Sequence, residues 1–297
     1  MRYLGRAVRR LLLYALLISM SVVFLYPFLY MAVTSVQSYN DILNATVKWI
    51  PREFSPQNWR YAFEALNYRV TFVNSLLVTL AATVGHVLVG ALVGYGFARY
   101  RFPLRGPLFL LLVFTIIVPV QTLIVPQYML FSKLSLVGTH LPMILPAYLG
   151  MGLKGGLFTF LFRQYFLKLP SALEEAAYID GCGALRTFWR IALPSAGSTT
   201  LVCTVLSIVW HWHDYFEPSI YLSSFNKMLL PQMLPQMYSF LEMLSNATTE
   251  DAVTLKMIFH SGVVMAGTAL ATLPLLVMYL FLQRRFMQGI ERTGLVE

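Results

Sequence analysis

The sequence of 297 residues is poor in charged side chains and in cysteine. Aspartate, glutamate, lysine and arginine make up 12% of it, whereas apolar and aromatic residues make up 58%. A soluble globular chain has about 25% charged residues, so this chain lacks the polar groups to cover a water-facing surface. Cys182 and Cys203 are too few for a disulfide framework. These shortages argue against a soluble enzyme, a disordered regulator and a secreted disulfide scaffold.

Acidic residues are the scarcest charged type, with 13 against 22 lysines and arginines, and the net charge is +9. Such a charge can indicate a nucleic-acid partner, but dispersed arginines beside apolar blocks indicate lipid instead. A spanning helix needs about 20 mainly apolar residues. Six segments of the sequence qualify: 11–33, 70–98, 108–130, 140–162, 194–222 and 262–282. We therefore expect an all-α integral membrane protein with six transmembrane helices and no nucleic-acid partner.

The positions of the cations predict the orientation, because cytoplasmic segments of membrane proteins carry an excess of lysine and arginine. Six spans with a cytoplasmic amino terminus place 14 of the 22 cations inside and seven outside, with Lys154 within the fourth span. Both termini are therefore predicted to be cytoplasmic. The segment 34–69 is then an extracytoplasmic excursion, and we expect little regular structure in it.

The cytoplasmic segment between the fourth and fifth spans has the pattern of a short helix. Ser171 and Glu174 have the spacing of a capping box, and Gly181 and Gly183 offer positions where the helix can end. About nine residues are too few to form a stable helix without packing. Paired acids near its start favour a protein partner over anionic lipid, although a helix lying on the membrane surface remains the alternative.

The same segment resembles the EAA loop of binding-protein-dependent ABC importer permeases. The pattern EAA-x3-G-x9-I-x-LP is matched by Glu175-Ala176-Ala177, Gly181, Ile191 and Leu193-Pro194. Asp180 before Gly181, and Leu169-Pro170 upstream, are similar to the carbohydrate-importer branch. The layout resembles the six-span permease of maltose-type importers, and the likeness extends over about residues 70–297.

This resemblance implies a type I ABC importer permease fold and a division into three parts. Residues 1–69 are expected to be an anchor helix with an extracytoplasmic loop. Residues 70–283 would form the permease core with its coupling loop at about 163–194, and residues 284–297 a cytoplasmic tail. The implied location is a bacterial or archaeal cell membrane. The implied partners are a homologous permease in a heterodimer, two ATPase subunits and an extracytoplasmic solute-binding protein.

In this family the loop helix couples the permease to the ATPase. The resemblance implies that the ATPase-coupling residues are Glu174, Glu175, Ala176, Ala177, Asp180, Gly181, Ile191, Leu193 and Pro194. The sequence contains no Gly-Lys dipeptide, so the phosphate-cradling loop of nucleotide-binding proteins is absent. We expect no catalytic residue, no metal site and no cofactor on this chain, with ATP and magnesium bound by the partner ATPase.

A second group of residues is a candidate solute path. The outer end of the fifth span combines aromatic and polar side chains, which suit sugar rings and hydroxyls, although an interfacial aromatic belt has the same composition. Lys154 lies among four glycines of the fourth span, where it faces either the path or a subunit interface, or extends to water. The predicted path residues are Lys154, Trp210, Trp212, Asp214 and Tyr215.

Two polar residues in other spans, His86 and Gln121, are predicted to make hydrogen bonds between helices rather than to bind solute. The sequence as a whole predicts the membrane subunit of an ATP-driven sugar or oligosaccharide importer. The alternative is a secondary transporter or channel that works alone, for which we find neither inverted repeats nor a carboxylate relay. A membrane enzyme ranks third, because no nucleophile and base stand out.

Overall fold

The computed structural model describes residues 2–152 and 154–293, with side chains described except at 2–8, 250 and 285–293. Apart from an isolated bridge between Gln37 and Phe54, its regular structure in this part of the chain is helical. The first eight helices are α1 Arg2–Thr34, α2 Tyr39–Leu43, α3 Gln57–Ala65, α4 Tyr68–Arg99, α5 Arg105–Ile117, α6 Val120–Lys133, α7 Leu141–Tyr148 and α8 Gly155–Lys168.

The remaining helices are α9 Ala172–Ile179, α10 Ala184–Thr187, α11 Leu193–Ser195, α12 Gly197–His213, α13 Phe216–Tyr221, α14 Leu230–Asn246, α15 Glu250–Ile258 and α16 Ser261–Thr293. A turn of π-helix, Phe188–Ala192, joins α10 to α11, and a 3₁₀ turn, Phe225–Lys227, precedes α14.

Three helical segments of the described chain are long and apolar enough to cross a membrane: Arg9–Thr34, Tyr68–Arg99 and Ser261–Arg284. Two further pairs qualify only if a sharply bent pair counts as one span. They are Arg105–Ile117 with Val120–Lys133, bent by 103°, and Ala184–Ser195 with Gly197–His213, bent by 78°. The structure therefore supports a multi-pass helical membrane protein with three to five spans by this measure, against the six predicted.

Three of the predicted spans are not continuous helices. The fifth, 194–222, is divided among α11, α12 and α13, with a bend of 78° before α12. In the third, α5 ends at Ile117 and α6 begins at Val120, with Val118 extended at ψ 122°. Proline disfavours the helical conformation at the residue before it, so Pro119 accounts for this break. In the fourth, positive φ angles at Gly150, Gly152 and Lys154 separate α7 from α8.

The helices form two compact units. One joins residues up to Tyr68 with Met233–Pro274, and the other joins Arg69–Gln232 with residues from Leu275 onward. Residues 233–274, which the sequence analysis assigned to the permease core, are thus grouped with the amino-terminal part. Within that unit, α1 is exposed along its apolar length, with none of its most apolar 18-residue window buried.

The segment 34–69 is more ordered than predicted. It contains α2 and α3, and Asn58 Nδ2 donates to the carbonyls of Ser35 and Gln37 at 3.1 and 2.8 Å. One carboxylate oxygen of Asp41 accepts from the backbone N–H groups of residues 52 and 53. Buried polar groups of this kind require such partners, so side-chain bonds fix a loop that apolar patterning alone does not predict.

The second unit is built on a close approach of α4 and α8. A Cβ added to Gly94 would lie 2.8 Å from the Cβ of Phe162 and 2.9 Å from the backbone nitrogen of Arg163, so only glycine permits this spacing. Phe158, Phe162 and Phe166 of α8 are fully buried there. This packing carries the carboxyl ends of both helices to the segment that contains α9.

Candidate functional site

The candidate coupling helix is α9, which has eight residues and begins after Ser171 as predicted. Its predicted capping box is wrong. Ser171 has helical angles, φ −63° and ψ −29°, and its side chain makes no capping hydrogen bond. Glu174 turns instead toward α4, where Arg99 Nε donates to Glu174 Oε1 at 2.8 Å. A charge-assisted hydrogen bond of this length is stronger than a neutral cap.

The ion pair between Arg99 and Glu174 is largely buried, with side-chain exposures of 16% and 8%. Arg99 Nη2 also donates to the carbonyl of Leu169, directly before the loop. The guanidinium at the end of α4 therefore bonds both to the backbone at the end of α8 and to the first turn of α9. Removing one partner would leave the other charge buried and unpaired, so breaking this link is costly.

The carboxyl end of α9 has the predicted glycine stop. Gly181 has φ +77°, and the N–H of Cys182 donates to the carbonyl of Ala177 at 2.9 Å. This left-handed residue satisfies carbonyls that a helix end leaves free. Gly183 differs from the prediction, because its φ of −76° is ordinary and it precedes α10 instead.

The predicted coupling residues divide between an inner and an outer side of the loop. Glu174 and Ala177 are buried at 6% and 3% exposure and face this chain. The side chains of Ile191 and Leu193 are half-buried. The exposed predicted residues are Glu175, Ala176, Asp180, Gly181 and Pro194.

Apolar side chains share the outer side of α9 with these residues. Leu173 is 46% exposed and Ile179 is 87% exposed. Exposed aliphatic residues that share one side of a short helix are typical of a surface that binds another protein or a membrane. We name this the α9 surface, consisting of Leu173, Glu175, Ala176, Ile179 and Asp180.

A cavity of about 410 Å³ lies beside α9, between it and the end of α4. Tyr100 and Tyr178 line it, with their hydroxyl oxygens 3.4 Å apart. Partial burial, and then the neighbouring Tyr178, raise the pKa of Tyr100 to about 12, so the hydroxyl keeps its proton at neutral pH. The charged residues of the lining are Arg99, Arg101, Arg105, Glu174 and Glu175.

The predicted solute-path residues have different surroundings. The two tryptophans pack inside the protein. Trp212 is buried, with its ring 5.7 Å from that of Phe72, and the ring of Trp210 lies 5.6 Å from that of Phe158.

The polar residues of the predicted path lie at helix ends. Asp214 follows the end of α12, and its Oδ1 accepts from the N–H groups of residues 216 and 217, so it caps the start of α13. Tyr215 is 47% exposed. Lys154 has an exposed side chain and lies directly before α8 in the glycine-rich break.

The predicted role of His86 as a link between helices is confirmed. Its Nε2 lies 3.0 Å from the carbonyl oxygen of Met151, and its Nδ1 lies 3.3 Å from His211 Nε2. A carbonyl can only accept, so Nε2 carries a proton, and in the neutral imidazole Nδ1 is then the acceptor. Ser207 and Thr83 extend the same buried network. Gln121, for which the same role was predicted, is exposed on α6.

Arg99 is the residue that sequence reasoning missed. Its contact with Glu174 joins positions 75 residues apart, and no local spacing rule connects them. The available signal was chemical: an acid on a short helix that must pack against the protein requires a basic partner.

Comparisons with known proteins agree with this geometry. Residues 86–292 match a family described as the inner membrane component of binding-protein-dependent transport systems. The lactose transport system permease LacG of Rhizobium radiobacter is 28% identical over 266 residues, covering 90% of this chain and 89% of that protein. A probable ABC transporter permease of Pyrococcus horikoshii is 32% identical over 222 residues, covering 73% and 78%.

A solved structure shares the fold. It is a bacterial ABC transporter involved in the import of the acidic polysaccharide alginate, with a TM-score of 0.80 and 18% identity, covering 95% of this chain and 98% of that chain. The chain therefore has the type I ABC importer permease fold. Since the family match takes in well over half of the chain, including α9 and the whole loop motif, this protein belongs to the family of inner membrane components of binding-protein-dependent transport systems, as an importer permease.

Proposed function

We propose that this chain is the permease subunit of an ATP-driven importer for a sugar or an oligosaccharide, in the cell membrane of a bacterium or archaeon. A relative named for lactose and a structural neighbour named for alginate support the carbohydrate class. We further propose six spans, counting α7 with α8 as one, and both termini in the cytoplasm.

The observation that carries this proposal is the combination of an exposed α9 surface with the buried ion pair on the opposite side of α9. The outer residues are free for a partner, whereas Glu174 is fixed to Arg99 at 2.8 Å. Motion of α9 is then passed to the carboxyl end of α4, a helix of 32 residues that crosses the membrane. We propose that a cytoplasmic ATPase subunit binds the α9 surface and moves α4 in this way.

That ATPase binds ATP and magnesium, whereas this chain contributes the solute path and α9, which transmits the motion. Two ATPase subunits, a homologous permease in a heterodimer and an extracytoplasmic solute-binding protein complete the proposed importer. Among the proposed path residues, Tyr215 and Lys154 have exposed side chains. We therefore propose these two as the first to test for contact with solute.

Co-purification tests the proposed contact with the ATPase. The tagged chain is expressed with its ATPase and isolated as Ile179→Asp or as Ile50→Asp. Both isoleucines are more than 80% exposed, at 87% and 82%, so neither substitution disturbs the core. We expect Ile179→Asp to lose the ATPase, because it replaces an apolar contact with a third acid that the partner would bury without a counterion. We expect Ile50→Asp to retain the ATPase. Retention by both variants would contradict the proposal.

A further inference from the structure

Arg163 of α8 is a cation without a counterion. Its guanidinium carbon lies 3.8 Å from the ring centroid of Phe109, and its Nε is buried without a hydrogen-bond partner. Within the described part of the chain its side chain makes no ion pair, since the pairs found there are Arg60 with Glu64 and Arg99 with Glu174. A buried N–H donor requires a hydrogen-bond partner, whereas the arginine as a whole is only half-buried.

A second arginine lies beside it. Arg105, the first residue of α5, donates from Nη2 to the carbonyls of Phe97 and Ala98 at the end of α4. The ring of Phe97 in turn lies 5.6 Å from that of Phe109, on which Arg163 stacks. Arg163 thus stacks on one ring of this pair, Arg105 bonds to the backbone beside the other, and the like charges of the two guanidiniums repel each other. Glu174 and Glu175 line the same cavity as Arg105, but Glu174 is already bound to Arg99, and Glu175 is exposed on the α9 surface.

The surroundings identify the kind of anion. Beyond Arg105, α5 presents side chains that the described part of the chain leaves exposed, with Leu108, Leu110 and Leu111 exposed by 44%, 70% and 61%. In a protein that crosses the membrane, acyl chains can cover an apolar surface of this kind. The arginines lie at the charged end of this apolar surface, where lipid headgroups lie, and basic positions between membrane helices bind anionic headgroups.

We propose that Arg163 and Arg105 bind the phosphate of an anionic phospholipid, whose acyl chains run along α5. Arginine recognises phosphate through several N–H groups at once. A zwitterionic lipid also carries a phosphate, but its ammonium group would add a third positive charge to the site. A headgroup whose only charge is that of the phosphate, as in phosphatidylglycerol, therefore fits best. Free phosphate has the same chemistry but gains nothing from the exposed leucines.

Native mass spectrometry of the full-length chain tests this site. The delipidated protein in detergent is titrated with phosphatidylglycerol, with phosphatidylcholine of the same acyl chains, and with inorganic phosphate. The variants are Arg163→Gln and the control Arg190→Gln, an exposed arginine. We expect Arg163→Gln to bind phosphatidylglycerol at least about tenfold more weakly than wild type does, because a hydrogen bond to a charged group is lost. The control should bind phosphatidylglycerol as tightly as wild type does.

Arg163→Lys guards against a variant that fails to fold, because it keeps the charge. We expect it to bind phosphatidylglycerol more tightly than Arg163→Gln does, since the point charge still attracts phosphate. Equal binding of phosphatidylglycerol to wild type and Arg163→Gln would overturn the proposal. So would binding of phosphatidylcholine as tight as that of phosphatidylglycerol. If inorganic phosphate binds as tightly as the lipid and also depends on Arg163, the ligand is free phosphate and the lipid proposal is wrong.

Discussion

At the scale of single residues, the ion pair between Arg99 and Glu174 carries the link from α9 to α4. Arg99→Met leaves the carboxylate of Glu174 buried and unpaired, and we expect it to lower the free energy of unfolding by about 3–5 kcal/mol. The double variant with Glu174→Met should lose much less than the sum of the two single variants, because it leaves no buried charge. Unfolding in mixed detergent micelles measures these differences.

The exposed pair of Arg60 and Glu64 is the matched control for this cycle. Its side chains are 79% and 60% exposed at a distance of 3.0 Å, so solvent screens the attraction and we expect no measurable coupling. If the losses in the free energy of unfolding at Arg99 and Glu174 are additive, as we expect at the control pair, their contact contributes nothing to stability.

Gly181 is the second residue whose identity matters, because it ends α9 at φ +77°. Gly181→Ala places a Cβ on a left-handed residue, which costs about 1–2 kcal/mol. Gly183→Ala is the control, since its φ of −76° suits any residue and neither position has an atom within 4 Å of an added Cβ. We expect only Gly181→Ala to lower the free energy of unfolding. Equal losses would refute a conformational role for Gly181.

At the scale of the helices, the approach of α4 to α8 depends on Gly94. An added methyl group meets backbone atoms of residues 159 and 163 at 2.9 Å, so Gly94→Ala must push the helices apart. We expect a loss of about 1–3 kcal/mol in the free energy of unfolding. Gly96→Ala, two residues on in the same helix, meets nothing within 4 Å and should be neutral or stabilising. The comparison of their unfolding free energies is decisive, and a similar loss in both would contradict close packing.

The sequence predicts helices better than it predicts their breaks. Apolar length alone identifies α1, α4 and α16, because about 20 consecutive apolar residues are typical of a helix that spans a bilayer. Apolar length does not predict the break that Pro119 causes in the third predicted span. Nor does it predict the break in the fourth, where Gly150 and Gly152 have positive φ angles. Those residues were visible, but a count of apolar residues gives them no weight.

The capping box shows the opposite limit, where a local rule is overridden by a distant partner. Ser171 and Glu174 have the correct spacing, and an isolated helix would use it. In the folded chain Arg99 takes the carboxylate, because a buried charge pair with a 2.8 Å contact outweighs a cap of about 1 kcal/mol. Contacts across 75 residues follow from the fold and not from local spacing.

At the scale of the whole molecule, the loop motif identified the family, which the match over residues 86–292 confirms. Motif recognition succeeds because the motif residues lie close together in sequence. The grouping of residues 233–274 with the amino-terminal part could not be predicted, since it depends on packing between distant segments. The proposed orientation stays a prediction, and it can be tested with the two native cysteines.

Cysteine labelling tests the orientation. Cys182 is partly exposed in the loop after α9, whereas Cys203 is buried in α12. With a membrane-impermeant maleimide we expect no labelling of intact cells and labelling of Cys182 after permeabilisation, because the loop is proposed to be cytoplasmic. Lys48→Cys, in the proposed outer loop, should be labelled in intact cells. Labelling of Cys182 before permeabilisation would place the loop outside the cell and exclude its contact with an ATPase.

The most direct measurement of the central claim is ATP-driven sugar uptake by proteoliposomes that contain the assembled importer with Glu175→Lys. Glu175 is exposed on the α9 surface, and Asp251→Lys, an exposed acid on α15, is the control. Because reversing a charge at a protein interface costs about 2–5 kcal/mol, we predict that Glu175→Lys lowers uptake more than tenfold while Asp251→Lys has no effect. Undiminished uptake by Glu175→Lys, or uptake by the chain without its ATPase, would contradict coupling through α9.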